Sequence, residues 1–220
     1  MMLRTLLTLA TATVLPLFLS AQPATTLGRL EGDQYVSPTG AFRVKLPVLP
    51  ELGGAIDETE NVVTFQDQFN VHASIACFPM DATQRWENET RGRRDYLIWF
   101  FDNFVQADFQ GRFPGSRIES AKFLHGVEGG ALLAYNLLPG GSMFEDRIIL
   151  TANESLPVAK RGNLLFVHDK HVYVLSIELA EKVVERSTYK KTTAEEDEVL
   201  RRRLLELLNK MRFTEAAAQK

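Results

Sequence analysis

Four histidines, a single cysteine and one dense arginine cluster are the side chains here with the chemistry to bind or react. His168 and His171 flank Asp169-Lys170, so a tight turn would bring both imidazoles to one end of a hairpin, as two potential ligands for zinc or copper. A metal site needs a third ligand and an ordered surround. His125 or Asp169 could supply it only through a geometry that the sequence does not give, and there is no His-x-x-x-His or Cys-x-x-Cys. His168 and His171 are therefore the only metal candidates, set against the simpler reading of solvated turn residues, and no cofactor is expected. Cys77 lies in the apolar run Ala73 to Phe78. It reads as a packed thiol rather than a reactive one, and a lone cysteine closes no internal disulfide.

No catalytic constellation is expected. Ser142 sits in Pro139-Gly140-Gly141-Ser142-Met143, but a nucleophile elbow needs Gly-x-Ser-x-Gly and position 144 is Phe. Gly126-Val127-Glu128-Gly129-Gly130 has neither the Gly-Lys-Ser/Thr nor the following helix of a phosphate cradle.

Arg91, Arg93 and Arg94 flank Gly92 and could grip an anionic ligand or an acidic partner, or could simply be a solvated helix entry. Just beyond them, Tyr96 to Phe101 places six bulky residues in a row, and no helix can turn all six to one side. At about 100° per residue, Trp99 falls among Asp102, Asn103 and Gln106 on the polar face. An indole on a wet face is a partner anchor, because Trp is enriched at binding hot spots. The expected partner surface is therefore Trp99 with Arg91, Arg93 and Arg94. The competing expectation is that the lead-in or the 47–60 loop folds over the ring.

The elements that must position these residues follow from periodicity. Residues 1–21 carry Arg4, then an apolar stretch from Leu6 to Leu19 interrupted by Pro16, then small residues. That stretch falls short of the about 20 apolar residues a membrane span needs, and the pattern is that of a secretory signal peptide cleaved after Ala21, with Ala24 as the alternative. Residues 22–33 read as a flexible lead-in, 34–213 as a single α+β domain and 214–220 as a frayed tail. Strands are expected over 41–46, 62–66, 70–78, 117–124, 131–138, 144–151, 163–168 and 171–179, with 47–60 a loop. One helix is expected over 94–109, possible from Thr83 onward, with Leu97, Phe101, Phe104 and Val105 facing the core. A closing helix is expected with a capping box at Thr193 and Glu196 and an apolar stripe of Leu200, Leu204, Leu207, Leu208 and Met211. Short links imply an antiparallel sheet. Two amphipathic helices covering it give an α/β/α sandwich.

This order resembles the PsbP/Mog1-like fold group. The resemblance is carried by Gly40-Ala41-Phe42-Arg43-Val44-Lys45-Leu46-Pro47, by the strand pair Val63 to Ile75, by the hairpin Leu164 to Ile177 and by the closing Leu207-Leu208-Asn209-Lys210-Met211-Arg212-Phe213. It implies a non-catalytic binding or accessory module. The metal-binding and reaction-centre-binding residues of plant PsbP find no counterparts in this sequence.

The expectation is an exported, secreted or periplasmic accessory protein with a protein partner in the cell envelope and no stable membrane span once the leader is removed. The alternative is an extracytoplasmic enzyme, or a small-ligand or metal-binding protein with its site in a sheet–helix cleft. Twenty-five Lys and Arg stand against 28 Asp and Glu, and this mildly acidic balance argues against nucleic acid.

Overall fold

The computed structural model describes residues 27–67, 71–139, 158–185 and 188–214. Its strands are β1 (Arg29–Glu31), β2 (Gln34–Val36), β3 (Phe42–Lys45), β4 (Ala55–Glu58), β5 (Val62–Gln66), β6 (His72–Pro79), β7 (Arg117–Leu124), β8 (Ala131–Pro139), β9 (Val158–His168), β10 (His171–Glu178) and β11 (Met211–Phe213). Seven of them form one antiparallel sheet in the order β4-β5-β6-β10-β9-β8-β7, and β1-β2-β3-β11 form a smaller one. The central strands β8, β9 and β10 are buried on both faces, so they read as nearly unbroken apolar runs rather than alternations.

Helices cover both faces, as the α/β/α reading requires. One face carries α1 (Ala82–Arg91), α2 (Arg93–Phe100), a π-helical turn (Phe101–Gln106) and α3 (Ala107–Arg112), the last three forming a continuous rod. Tyr96, Leu97, Phe100 and Phe101 of this rod pack on Leu132, Ala134, Leu165 and Val167 of β8 and β9. Gly92, with φ 77°, makes the break between α1 and the rod, in a conformation that residues with a side chain rarely adopt. After β10 come α4 (Ala180–Glu185) and α5 (Thr193–Asn209). The stripe Leu200, Leu204, Leu207 and Leu208 is buried against the other face, each leucine worth ~2 kcal/mol. α5 crosses β9 at Gly162, where a Cβ would stand 3.1 Å from Leu200 Cβ.

Several expectations change in detail. The helix expected over 94–109 is a rod with a π-helical turn inside it, and the stripe loses its phase there. Phe104 is 46% exposed while Gln106, expected among the polar residues, is 6% exposed. A π turn takes more residues than an α turn, so the next core-facing position arrives one residue late. The capping box belongs to Thr192 and Glu195, one step before the expected pair. Met211 closes the chain's apolar stripe from a strand rather than a helix. The loop expected over 47–60 contains a 3-10 turn, Pro50–Leu52, and β4. β1 lies within the expected lead-in. The leader, the strand expected over 144–151 and Ser142 lie outside the described residues. Among the described residues, no helix is long and apolar enough to cross a membrane.

Candidate functional site

The rod lies over β8 and β9 and stops short of β6 and β5, leaving a cleft of about 450 Å³ between helix and sheet. Ser74 and Ala76 of β6, with Val174 and Ser176 of β10, make its floor, and Phe104, Val105, Phe109 and Arg112 make its helical wall. Arg161 of β9 enters beside the wall. Its Nη2 donates to Ser74 Oγ at 2.9 Å, and its guanidinium carbon lies 5.1 Å from the Phe109 ring centroid. Burial lowers the pKa of this guanidinium and Glu178, its register partner on β10, opposes the shift.

A buried chain of amides runs from this floor into the rod. Ser176 Oγ donates to Asn163 Oδ1 at 2.8 Å, and Asn163 Nδ2 donates to Asn136 Oδ1 at 2.9 Å. Asn136 Nδ2 donates to Gln106 Oε1, and Gln106 Nε2 donates to the Ser116 carbonyl at 3.3 Å. Every donor points away from the cleft. The ladder also accounts for the π turn: only the late phase brings Gln106 inward to Asn136. None of Arg161, Asn136, Asn163 or Ser176 was selected by spacing. The signal in the sequence was the interruption of three apolar strand runs by single polar residues, which must find partners when buried.

Of the residues singled out from the sequence, Trp99 and Arg91 come together. The Arg91 guanidinium lies 5.6 Å from the Trp99 ring centroid and pairs with Glu87 on α1. Trp99 is partly buried by its helical neighbours, with Tyr96 at 5.8 Å and Phe104 edge-on at 5.5 Å between centroids. Phe104 therefore belongs both to this aromatic rim and to the cleft wall. Arg93 turns the other way and donates to the Glu128 carbonyl at 2.6 Å, in the β7–β8 turn. Arg94 is exposed.

His168 and His171 do face each other across the β9–β10 turn, as register partners. His168 stacks on Phe213 at 4.0 Å between centroids and its Nδ1 lies 3.0 Å from Glu128 Oε2. Burial lowers the pKa of His171, Asp169 opposes it and His168 adds to it. Among the described residues no three His, Cys, Asp or Glu side chains gather where a metal could be held. His171 and Cys77 line a second cavity of about 310 Å³. Burial pushes the Cys77 thiol up to about 11, with Tyr173 opposing, so it is held as a thiol and not as the thiolate a nucleophile needs.

No protein-family model matches the sequence, and no curated protein matches it. Among solved structures the chain is similar, at the level of fold and at a distance, to cyanobacterial PsbP from Synechocystis. That likeness covers 86% of this chain and 99% of the other at 11% identity, with a TM-score of 0.49. The Saccharomyces cerevisiae Ran-binding protein Mog1p is similar over 82% of this chain and 94% of its own, with 9% identity and a TM-score of 0.46. A protein of Bacteroides thetaiotaomicron is similar over 87% of this chain at 9% identity and a TM-score of 0.46, and the chain spans about half of it, 52%. The functional reading rests on the chain's own residues.

Proposed function

We propose that the chain is an exported binding or accessory protein whose partner, a protein of the cell envelope, docks on the aromatic rim of the rod. The observation that carries this reading is the rim itself: the Trp99–Phe104 pair with the Arg91 guanidinium over the indole, and Phe104 46% exposed. Tryptophan and arginine are the residues that most often anchor protein interfaces. A cation on an aromatic face adds about 0.5–1 kcal/mol at an exposed site, so the two side chains are held in register before a partner arrives. Export is supported by the leader-like pattern of residues 1–21.

The test is affinity capture from the envelope fraction of the native host, using wild type, Trp99→Ala and Arg202→Ala, the last on the exposed side of α5. A partner held by wild type and Arg202→Ala and lost by Trp99→Ala is the expected result. The same proteins with and without Trp99 would overturn the placement. The mass of the recovered chain tests export: residues 1–21 should be missing, and a full-length chain retained in the cytoplasm would sink that part.

A further inference from the structure

We infer that the cleft between the rod and the sheet binds a small neutral amphiphile, an alcohol carrying an apolar body. At about 450 Å³ it falls within the roughly 300–1,000 Å³ of small-ligand sites. The charges at its lining cancel in pairs. Arg112 pairs with Asp108 one helical turn earlier, and Arg161 is faced from β10 by its register partner Glu178, a carboxylate sealed from solvent. A carboxylate or an ammonium group entering the cleft would lose its hydration and meet no unbalanced charge, which is costly. The apolar part of the lining, with Phe78, Phe104, Phe109, Ala76 and Val174, suits an uncharged guest.

The register of the sheet gives the floor one polar row and one apolar row. Ser74 of β6 and Ser176 of β10 are register partners, and Asn163 continues their row on β9. Two residues along each strand, Ala76, Val174 and Leu165 form a row with no polar side chain. Ser74 Oγ accepts from Arg161 at 2.9 Å, so its own proton is left to donate into the cleft. Ser176 Oγ gives its proton to Asn163 at 2.8 Å and presents lone pairs. The two serines, both buried, therefore offer one donor and one acceptor side by side. A hydroxyl answers both from a single atom, accepting from Ser74 and donating to Ser176, whereas an ether leaves Ser176 unmet. The apolar body then lies along Ala76 and Val174 toward Phe78, which stands about 13 Å from Ser74 on the same strand. The helical wall runs the same way. Phe109 lies over Arg161 at the head, and Phe104 closes the tail through Phe100, 4.8 Å from it and 5.9 Å from Phe78 between centroids. The inference does not require the protein partner proposed above. A chain that binds the alcohol and captures no protein keeps this inference and loses that reading, and the reverse result does the opposite.

The test uses the purified chain in the form recovered from its host, titrated calorimetrically at neutral pH with octanol, its isomer heptyl methyl ether, octanoate and octylammonium. Octanol should saturate a single site, and the ether, short of one hydrogen bond, should bind about tenfold more weakly. Octanoate and octylammonium should also fall about tenfold or more below octanol. Ser176→Ala should bring octanol down to the affinity of the ether and leave the ether unchanged, while Ser74→Ala should weaken both. Ala76→Leu, which places bulk on the floor, should abolish both. Thermal melts establish that each variant folds, and if Ser176→Ala does not, Ser74→Ala and Ala76→Leu carry the test. No saturable octanol binding up to its solubility, an ether or an octanoate that binds as tightly as octanol, or octanol binding that survives Ala76→Leu would each overturn the proposal.

Discussion

On the α5 face of the large sheet, Lys160 is sealed from solvent and ringed by carboxylates. Asp197 lies 2.5 Å and Glu196 3.2 Å from its Nζ, and Glu119 pairs with it from β7. On the rod face the buried polar groups are amides and hydroxyls joined head to tail, with Arg161 and its buried register partner Glu178 at the open end. These neighbouring basic residues of β9 point to opposite faces, because successive strand residues do. The charged cluster ties three elements together: β7, bulged between Ile118 and Ser120; β9; and the first turns of α5. Lys182 of α4 adds a fourth through Glu196 at 2.8 Å. An ion cluster of this kind tolerates no gap, since water or a missing partner would strand a charge. Neutral amides ask less of their surroundings, and a cleft of about 450 Å³ stays open beside them, whereas the cavities of the α5 face, beside Cys77 and beside His72, have neither Lys160 nor its carboxylates in their lining. The charged cluster is a fastening that closes its part of the α5 face, and the amide side is the open one.

The fastening should break first when its cation is removed. Lys160→Met leaves Glu119, Asp197 and the nearly inaccessible Glu196 facing one another, and should cost about 3–5 kcal/mol. A urea midpoint that falls while the slope is unchanged is the expected reading. Burial alone would pull the pKa of Lys160 down, but Asp197 and Glu119 outweigh it and hold it above 10.5. A raised pKa stabilises the folded state fully below 10.5, and the contribution is lost as pH rises through the folded value. The gap between wild type and Lys160→Met should therefore be widest near neutral pH and narrow at strongly alkaline pH. A gap that is small at pH 7 would remove the contrast between the two faces.

The open face makes a subtler prediction, because the π turn exchanges the roles of two residues. Gln106→Ala strips the acceptor from Asn136 Nδ2 and the donor from the Ser116 carbonyl, and should cost about 1–3 kcal/mol. Phe104→Ala removes a ring that is 46% exposed and touches Phe100 and Trp99, and should cost about 1 kcal/mol or less. An unbroken α-helix over the same residues demands the opposite ranking, with a core Phe→Ala costing about 3–5 kcal/mol. Chemical denaturation of the two variants decides between them.

Much of the frame could be read before any coordinates. β5 and β7 begin and end where the residue pattern marks them, at 62–66 and 117–124, and the leucine stripe of α5 is buried as its spacing requires. Strands of three or four residues such as β1, β2, β4 and β11 are too short for a period to show; β1 and β2, like β4 and β5, pair as local hairpins, and only β11 among these four is defined across a long sequence separation, with Phe213 opposite Phe42. The phase of the rod was hidden for a related reason: a local rule carries Phe104 inward, and a partner 30 residues away, Asn136, draws Gln106 in instead. Of the candidate partner surface, Arg91 and Trp99 meet across the Gly92 break, whereas Arg93 is claimed by the β7–β8 turn. Arg161 and Lys160 escaped notice because the expected strand starts only at residue 163, whereas β9 begins at Val158 and is covered on both faces.

The smallest effect concerns the start of α5, where Thr192-Thr193-Ala194-Glu195-Glu196 contains two overlapping capping boxes and only one can form. Thr192 Oγ1 accepts from the Glu195 amide at 3.4 Å, and Glu195 Oε2 accepts from the Thr192 amide at 2.8 Å. The choice is made by the closed face: Glu196 is needed inside, on Lys160 and Lys182, so its carboxylate cannot turn back to cap the helix. Thr192→Ala should then cost about 1 kcal/mol, while Thr193→Ala should stay within about 0.5 kcal/mol of wild type. The Thr192 amide and hydroxyl hold the Glu195 carboxyl below its usual 4.5. A lowered carboxyl pKa stabilises the fold above 4.5 and ceases to do so as pH falls through the folded value. The penalty of Thr192→Ala should therefore shrink in acid, and that of Thr193→Ala should not change. If the two variants exchanged places, Glu196 would be serving the cap, and the ring of carboxylates around Lys160 would be one short.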